Sequence, residues 1–166
     1  MIYTEFNSAF GITLLAAENN KLRHLWFPDQ KHEPDCSSWE RDDDLPLFRQ
    51  ARIQLEEYAQ GTRKAFDLPL AFQGTDFQKS VWQLLQTIPF GQHTSYGVMA
   101  KQLQRPKASR AVGAAVGKNP LGIIVPCHRV LGGNGSMTGF ASGLDMKRKL
   151  LEIEGVLEPT QEELLV

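Results

Sequence analysis

The chain has 166 residues, 18 Lys and Arg against 19 Asp and Glu, and a formal net charge of −1. That length suits one sizeable core or two small domains sharing an interface, and it excludes a large multidomain machine. A composition of 42% hydrophobic and 22% charged residues is that of a globular protein, with no apolar run near the ~20 residues of a membrane-crossing helix and no secretory pattern in MIYTEFNSAF.

Three short runs open the chain, Ile2 to Phe6, Ile12 to Ala16 and Leu22 to Phe27, with Gly11 and Asn19-Asn20 as turns; they predict an antiparallel meander. Residues 28–44 are polar, acidic and interrupted by Pro28 and Pro34, which reads as a loop carrying Cys36 as a bystander. Apolar spacing over residues 46–60 predicts an amphipathic helix closed by Gly61, and Lys64 to Leu70 reads as a further strand. No catalytic cluster is visible in this first half.

Thr75 with Gln78 forms a capping-box pattern for a helix that includes Val81, Trp82, Leu84, Leu85 and Ile88, stopped by Pro89-Phe90-Gly91. Ser95 caps a short helix, Tyr96 to Leu103, which Arg105-Pro106 breaks, and a third helix runs from Ser109 to Val116. Two short helices joined by a tight turn suggest a helix-turn-helix whose second helix carries Arg110 beside Ala111, Gly113, Ala114 and Ala115. Small side chains serve a close approach to DNA and internal packing equally, and spacing alone does not choose. Gly122 to Val125 reads as a strand, followed by Pro126-Cys127-His128-Arg129-Val130 and a glycine-rich loop. A last helix, Leu144 to Glu154, is expected to end at Gly155 with Lys147, Arg148 and Lys149 on its exposed side.

The charge is unevenly spread. Residues 1–76 sum to −5 and residues 145–166 to −3, whereas residues 77–144 carry seven cations and no carboxylate. Such a stretch marks the place for an anionic partner, which the near-neutral total conceals.

Two cysteines cannot build a disulfide framework, and no CxxC or HxxxH pair suggests a metal cage, so a reducing cytoplasm is the expected location. A free cysteine is most often a small buried hydrophobe. Cys127 differs in having His128 beside it and cationic Arg129 close by. A thiol of ordinary pKa is mostly protonated at neutral pH, so a nucleophilic Cys127 needs a base, and His128 is the candidate. Neighbours on an extended strand point oppositely, so the two require a turn or a bridging water. A carboxylate to orient the histidine is also needed, and the residues alone do not identify it.

The segment Ile124-Val125-Pro126-Cys127-His128-Arg129-Val130 resembles the active-site signature of the O6-alkylguanine-DNA alkyltransferases, the methylated-DNA–protein-cysteine methyltransferases. The likeness extends through Ser95-Tyr96-Gly97, residues 105–113, Gly117-Lys118-Asn119-Pro120, Gly135 to Gly139 and Gly143 to Gly155, about residues 74–155 in all. It implies an α+β protein: a small ribonuclease-H-like α/β domain over residues 1–72, a mainly helical domain with a helix-turn-helix over 73–157, and a tail over 158–166.

The resemblance also implies roles. Cys127 accepts the alkyl group, Glu154 orients His128, and His128 deprotonates Cys127 through a water. Tyr96 donates a proton to the leaving guanine, and Asn119 braces the turn before the active-site strand. Arg110 fills the stack vacated by a flipped nucleotide, with Tyr96, Gly97, Arg105, Ala111 and Gly113 on the DNA side. The carbonyls of Cys127 and Val130 and the backbone near Ala141 read the base, and Phe140, Ala141 and Ser142 line the alkyl pocket with Val130. Phe140 stands where many relatives carry Tyr, and Ala141-Ser142-Gly143 replaces a more glycine-rich stretch; both bear on the size of alkyl group accepted.

The implied reaction is DNA repair by direct reversal: one irreversible transfer from O6 of guanine, with O4 of thymine a further candidate, in duplex DNA gripped through the minor groove with little sequence specificity. A monomer needing neither cofactor nor metal is expected, since His24, His32 and Cys36 make no convincing zinc set. Two other readings share features with this one: a non-catalytic lesion-binding relative would lack the nucleophile, and a cysteine hydrolase would turn over and need an oxyanion hole.

Overall fold

A computed structural model describes residues 1–28, 30, 33–133 and 143–158. The chain opens with a meander of β1 (Ile2–Ser8), β2 (Gly11–Glu18) and β3 (Lys21–Trp26). Asn19 and Asn20 both take positive φ, 53° and 59°, the conformation a tight two-residue hairpin turn requires. A two-residue strand, β4 (Glu40–Arg41), pairs parallel to β1, so the sheet order is β3-β2-β1-β4. The loop reading of residues 28–44 therefore misses one short edge strand.

Helix α1 (Pro46–Ala59) starts with proline in its first turn and buries Leu47, Phe48, Ala51, Leu55 and Tyr58. Strand β2 is buried continuously from Thr13 to Ala17 because both sheet faces are covered. Leu15 and Ala17 join the main core, while Leu14 and Ala16 pack with Trp26, Tyr3 and Trp39 on the other side. The expected strand over Lys64 to Leu70 does not form. It is reduced to one bridge between Leu22 and Leu70, since this segment serves to cover the edge of β3 and gains no second ladder partner.

Helix α2 (Asp76–Leu85) has both halves of the Thr75–Gln78 capping box. It stops before Ile88, where single-turn hydrogen bonds from Thr87 and Ile88 replace the helix. The pair α3 (Tyr96–Gln102) and α4 (Ser109–Gly117) follows, preceded by β5 (Thr94–Ser95). The Trp82 indole N–H donates to the Ala115 carbonyl at 2.9 Å and ties α2 to α4.

The strand expected over Gly122 to Val125 is a buried turn, in which Ile123 takes φ +70°. A four-residue apolar run is compatible with any buried conformation, and here Asn119 dictates a turn by holding the Leu121 N–H and the Val125 carbonyl. A 3₁₀ turn at Cys127–Arg129 leads into β6 (Val130–Leu131), and α5 (Leu144–Ile153) closes the described chain.

One contiguous apolar core runs through both halves, from Leu15, Phe48 and Tyr58 to Val81, Met99, Cys127 and Leu150. The outer edge of β3 is where they join in backbone terms: beyond the 69–71 segment bonded to Leu22, the Leu25 N–H donates to the Pro120 carbonyl at 2.9 Å. Among the described residues no helix is long and apolar enough to cross a membrane.

Candidate active site

The site is built on the 3₁₀ turn. Pro126 precedes it at φ −82°, and the turn places Cys127 and His128 on successive corners rather than on opposite faces of a strand. Cys127 is 6% exposed and His128 fully buried. The parallel pairing of β5 with β6, Thr94 to Val130 and Ser95 to Leu131, brings the start of α3 alongside this turn. Ser95 caps α3 by accepting from the Val98 N–H, so Tyr96 is the first helical residue, directly after the Ser95–Leu131 pair.

Glu154 caps the C-terminus of α5, and its carboxylate is enclosed by donors. Oε2 lies 2.5 Å from His128 Nε2, 2.6 Å from the Tyr58 hydroxyl and 3.0 Å from Arg129 Nη2; Oε1 accepts from Arg129 Nε at 2.8 Å and from the Gly91 N–H at 3.3 Å. Burial raises the Glu154 pKa, but the bonds from His128, Arg129 and Tyr58 outweigh it and hold the carboxyl down at about 2. Burial lowers the His128 pKa despite Glu154, so the imidazole is neutral. A neutral ring facing a carboxylate through Nε2 carries its proton there and leaves Nδ1 as a lone pair. Nδ1 is buried and, among the described residues, has no hydrogen-bond partner.

Burial pushes the Cys127 thiol up to about 11, with the Asn119 amide and the Lys147 charge acting in the opposite sense. Two expectations need correction here. Arg129 does not support the thiolate; its guanidinium is committed to Glu154 and the Ile88 carbonyl. Lys147 is not on the exposed side of α5: it is 1% exposed and donates to the Val130 carbonyl at 2.7 Å. Every lysine in that Lys-Arg-Lys run looks solvated from sequence, and α5 rotates only the first of them inward. Burial lowers its pKa, and Cys127 opposes that.

On the outer side, the exposed residues of α4 are Arg110, Ala111, Ala114 and Gly117, whereas Val112, Ala115 and Val116 face the core. The small side chains are thus mostly displayed, not consumed in packing. Gly113 lies under the Tyr96 ring: a Cβ there would sit 3.7 Å from it. Lys101, Arg105, Lys107 and Lys118 are exposed around the same pair of helices, and Arg105 also lies over the Phe77 ring at 5.5 Å. Gly97 borders open space. Of the seven cations in the carboxylate-free stretch, Arg129 is buried at the site and Lys79 is half-buried.

Cys127, His128, Glu154, Asn119 and Val130 are thus brought together, and Tyr96 begins the helix that follows the strand paired with Val130 and Leu131. Phe140, Ala141, Ser142 and His32 lie outside the described residues. Among the described residues no group of three or more His, Cys, Asp or Glu is placed to hold a metal ion. Sequence reasoning missed Tyr58, which comes from α1 in the first half and reads there as one more core position after Leu47, Phe48, Ala51 and Leu55. No local signal marks it.

Residues 1–72 match the family described as 6-O-methylguanine DNA methyltransferase, ribonuclease-like domain, and residues 76–156 match its DNA binding domain. A methylated-DNA–protein-cysteine methyltransferase of Methanosarcina acetivorans is 49% identical over 93% of this chain and 99% of that protein. One from Haemophilus influenzae is 40% identical over 94% of this chain and 87% of its own length. The crystal structure of Mycobacterium tuberculosis OGT in complex with DNA superposes with a TM-score of 0.88 at 43% identity, covering 94% of both chains. Two family models that between them cover most of the chain, and relatives 40% and 49% identical over more than nine-tenths of it, show that this chain belongs to the methylated-DNA–protein-cysteine methyltransferase family.

Proposed function

We propose that this protein repairs alkylated duplex DNA by moving a methyl group from O6 of guanine onto the sulfur of Cys127, once per molecule. The observation that carries the mechanism is the buried Nδ1 of His128, without a hydrogen-bond partner among the described residues, on the turn that holds Cys127. With a thiol pKa of about 11, only about one Cys127 in 10⁴ is ionised at pH 7 without help, so an adjacent base is required.

In this reading the Cys127 proton passes through one water to His128 Nδ1, while Glu154 holds the Nε2–H and balances the imidazolium that forms. The thiolate pair attacks the alkyl carbon in line with its bond to O6. That bond breaks, its electrons enter the purine, and the Tyr96 phenol supplies the proton that keeps the leaving guanine from departing as an anion. The Asn119 amide, 2.8 Å from the Val125 carbonyl, holds the turn in shape for this step. The product is a thioether, and none of the described groups around Cys127 supplies a route to hydrolyse it, so the reaction is stoichiometric.

Burial of Cys127 supports base flipping, since a nucleophile 6% exposed is reached only by a base that leaves its stack. The displayed Ala111, Ala114 and Gly117 support a minor-groove approach with little sequence reading, because they offer no long hydrogen-bonding side chains to base edges. Arg110, exposed at the start of α4, is the side chain suited to fill the gap, and Arg105 and Gly97 flank the bound backbone. The protein acts as a monomer in two domains, residues 1–72 and 73–157.

Incubation with an oligonucleotide duplex carrying O6-methylguanine, followed by intact-protein and peptide mass spectrometry, tests the assignment. One methyl on Cys127, no product beyond one equivalent and no product with Cys127→Ala are expected. DNA bound with Cys127 unmodified, or repeated turnover, would overturn it.

A further inference from the structure

Among the groups around Glu154, one comes from the half of the chain that carries no motif. Tyr58 sits in the last turn of α1, fully buried, with its ring against Phe10, Phe66 and Phe90 and its hydroxyl 2.6 Å from Glu154 Oε2. The same oxygen accepts from His128 at 2.5 Å, and the Tyr58 oxygen is 3.5 Å from His128 Nε2. Three donors, His128, Tyr58 and Arg129, therefore share one oxygen, and the strength of each bond affects the basicity left for the others.

We propose that Tyr58 is a positioning residue for the alkyl transfer, drawing charge from Glu154 so that His128 stays neutral and its Nδ1 stays open as the base. The proposal rests on the reaction assigned above and adds that the first half of the chain completes the active site. The charged and titratable groups facing the pair are Arg129, which binds both carboxylate oxygens, Lys147 on α5, Cys127 on the turn, and Tyr58 itself. Burial pushes the Tyr58 hydroxyl far above the ordinary tyrosine range, so it remains a donor throughout the working pH range. Arg129 and Lys147 disfavour an imidazolium and Glu154 favours it. Removing the Tyr58 bond leaves more of the Glu154 charge on Nε2–H, which stabilises the imidazolium and raises the pH at which the base is lost.

Tyr58→Phe keeps the ring packing and deletes only the hydroxyl. Single-turnover transfer from an O6-methylguanine duplex is to be followed from pH 5 to 9 for both proteins. The acid limb of Tyr58→Phe should move up by about one pH unit, so that transfer at low pH falls several-fold while the alkaline rates converge. NMR titration of His128 should show the same upward move, with DNA affinity unchanged. A uniform drop at all pH values would assign Tyr58 a purely structural role and overturn the proposal, as would superimposable profiles. If Tyr58→Phe does not fold, 3,5-difluorotyrosine installed at position 58 supplies the opposite perturbation. That stronger donor should move the acid limb down, and no movement would overturn the proposal. Absence of transfer by the unsubstituted protein would instead count against the reaction itself, so the two failures are separable.

Discussion

Cys127 is held in surroundings that oppose its ionisation, and His128 in surroundings that keep it uncharged; burial accounts for both. The combination stores the nucleophile as an unreactive thiol until a base and a substrate are present together. His128→Gln removes the acceptor while retaining a polar side chain of similar size. Transfer at pH 7 should drop by about 10²-fold or more, the usual contribution of a positioned base. The loss should shrink as pH rises towards about 11, where the Cys127 thiolate forms unaided. On the proposed mechanism the unsubstituted protein should show a flat alkaline dependence over the same range, because its base, His128, is titrated only below its ordinary 6.5. Rapid-quench assays across pH 5 to 10.5 distinguish these shapes, and a flat profile for His128→Gln would remove the base assignment.

Helices α2 and α3 begin alike, each with a hydroxyl cap that accepts from the third backbone N–H, yet only one cap adjoins the site. Thr75→Ala and Ser95→Ala should each cost about 1 kcal/mol, which lowers Tm by about 2–4 °C in a chain of this size. Transfer should be untouched in Thr75→Ala and slowed in Ser95→Ala, since Tyr96 is the first residue of the helix that Ser95 caps. Calorimetry with single-turnover kinetics on both variants checks the contrast. Gly113 poses a related question for α4. A methyl there meets the Tyr96 ring at an ordinary 3.7 Å, so the free protein has room for alanine. Gly113→Ala should be neutral or stabilising by up to about 1 kcal/mol and should weaken DNA binding, since the helix then stands off the duplex. Unchanged affinity would show that the small face is not the contact surface.

Across the whole molecule, the near-zero net charge and the DNA-facing surface are reconciled by where cations end up. Lys101, Arg105, Lys107, Arg110 and Lys118 are exposed around α3 and α4, whereas Arg129 is spent on Glu154. With five such cations and about 0.9 counterions released per phosphate neutralised, log affinity against log salt should have a slope no steeper than about −4.5. Fluorescence anisotropy between 50 and 300 mM salt measures it, and a steeper slope would require cations elsewhere to touch DNA.

Much of this was legible in the order of residues, for reasons that are local. The meander follows from alternation and Asn-Asn, the helix starts from Thr75 and Ser95, and the candidate site from Cys127-His128, though residue order leaves open whether a turn or a bridging water links those two. A cap or a turn involves residues three or four apart, so its determinants are adjacent in sequence. The buried turn at 121–125 and the covering segment at 64–70 read as strands in sequence, because an apolar run records burial and not conformation. The inward Lys147 and the convergence of Tyr58 with Glu154, 96 residues apart, were decided by packing alone. A buried charge is tolerable only where partners from distant elements satisfy it, and their meeting is a property of the assembled core. The sequence therefore offers Cys127 and His128 as the candidate nucleophile and base, and the folded chain determines which donors surround Glu154 and how charged it leaves His128.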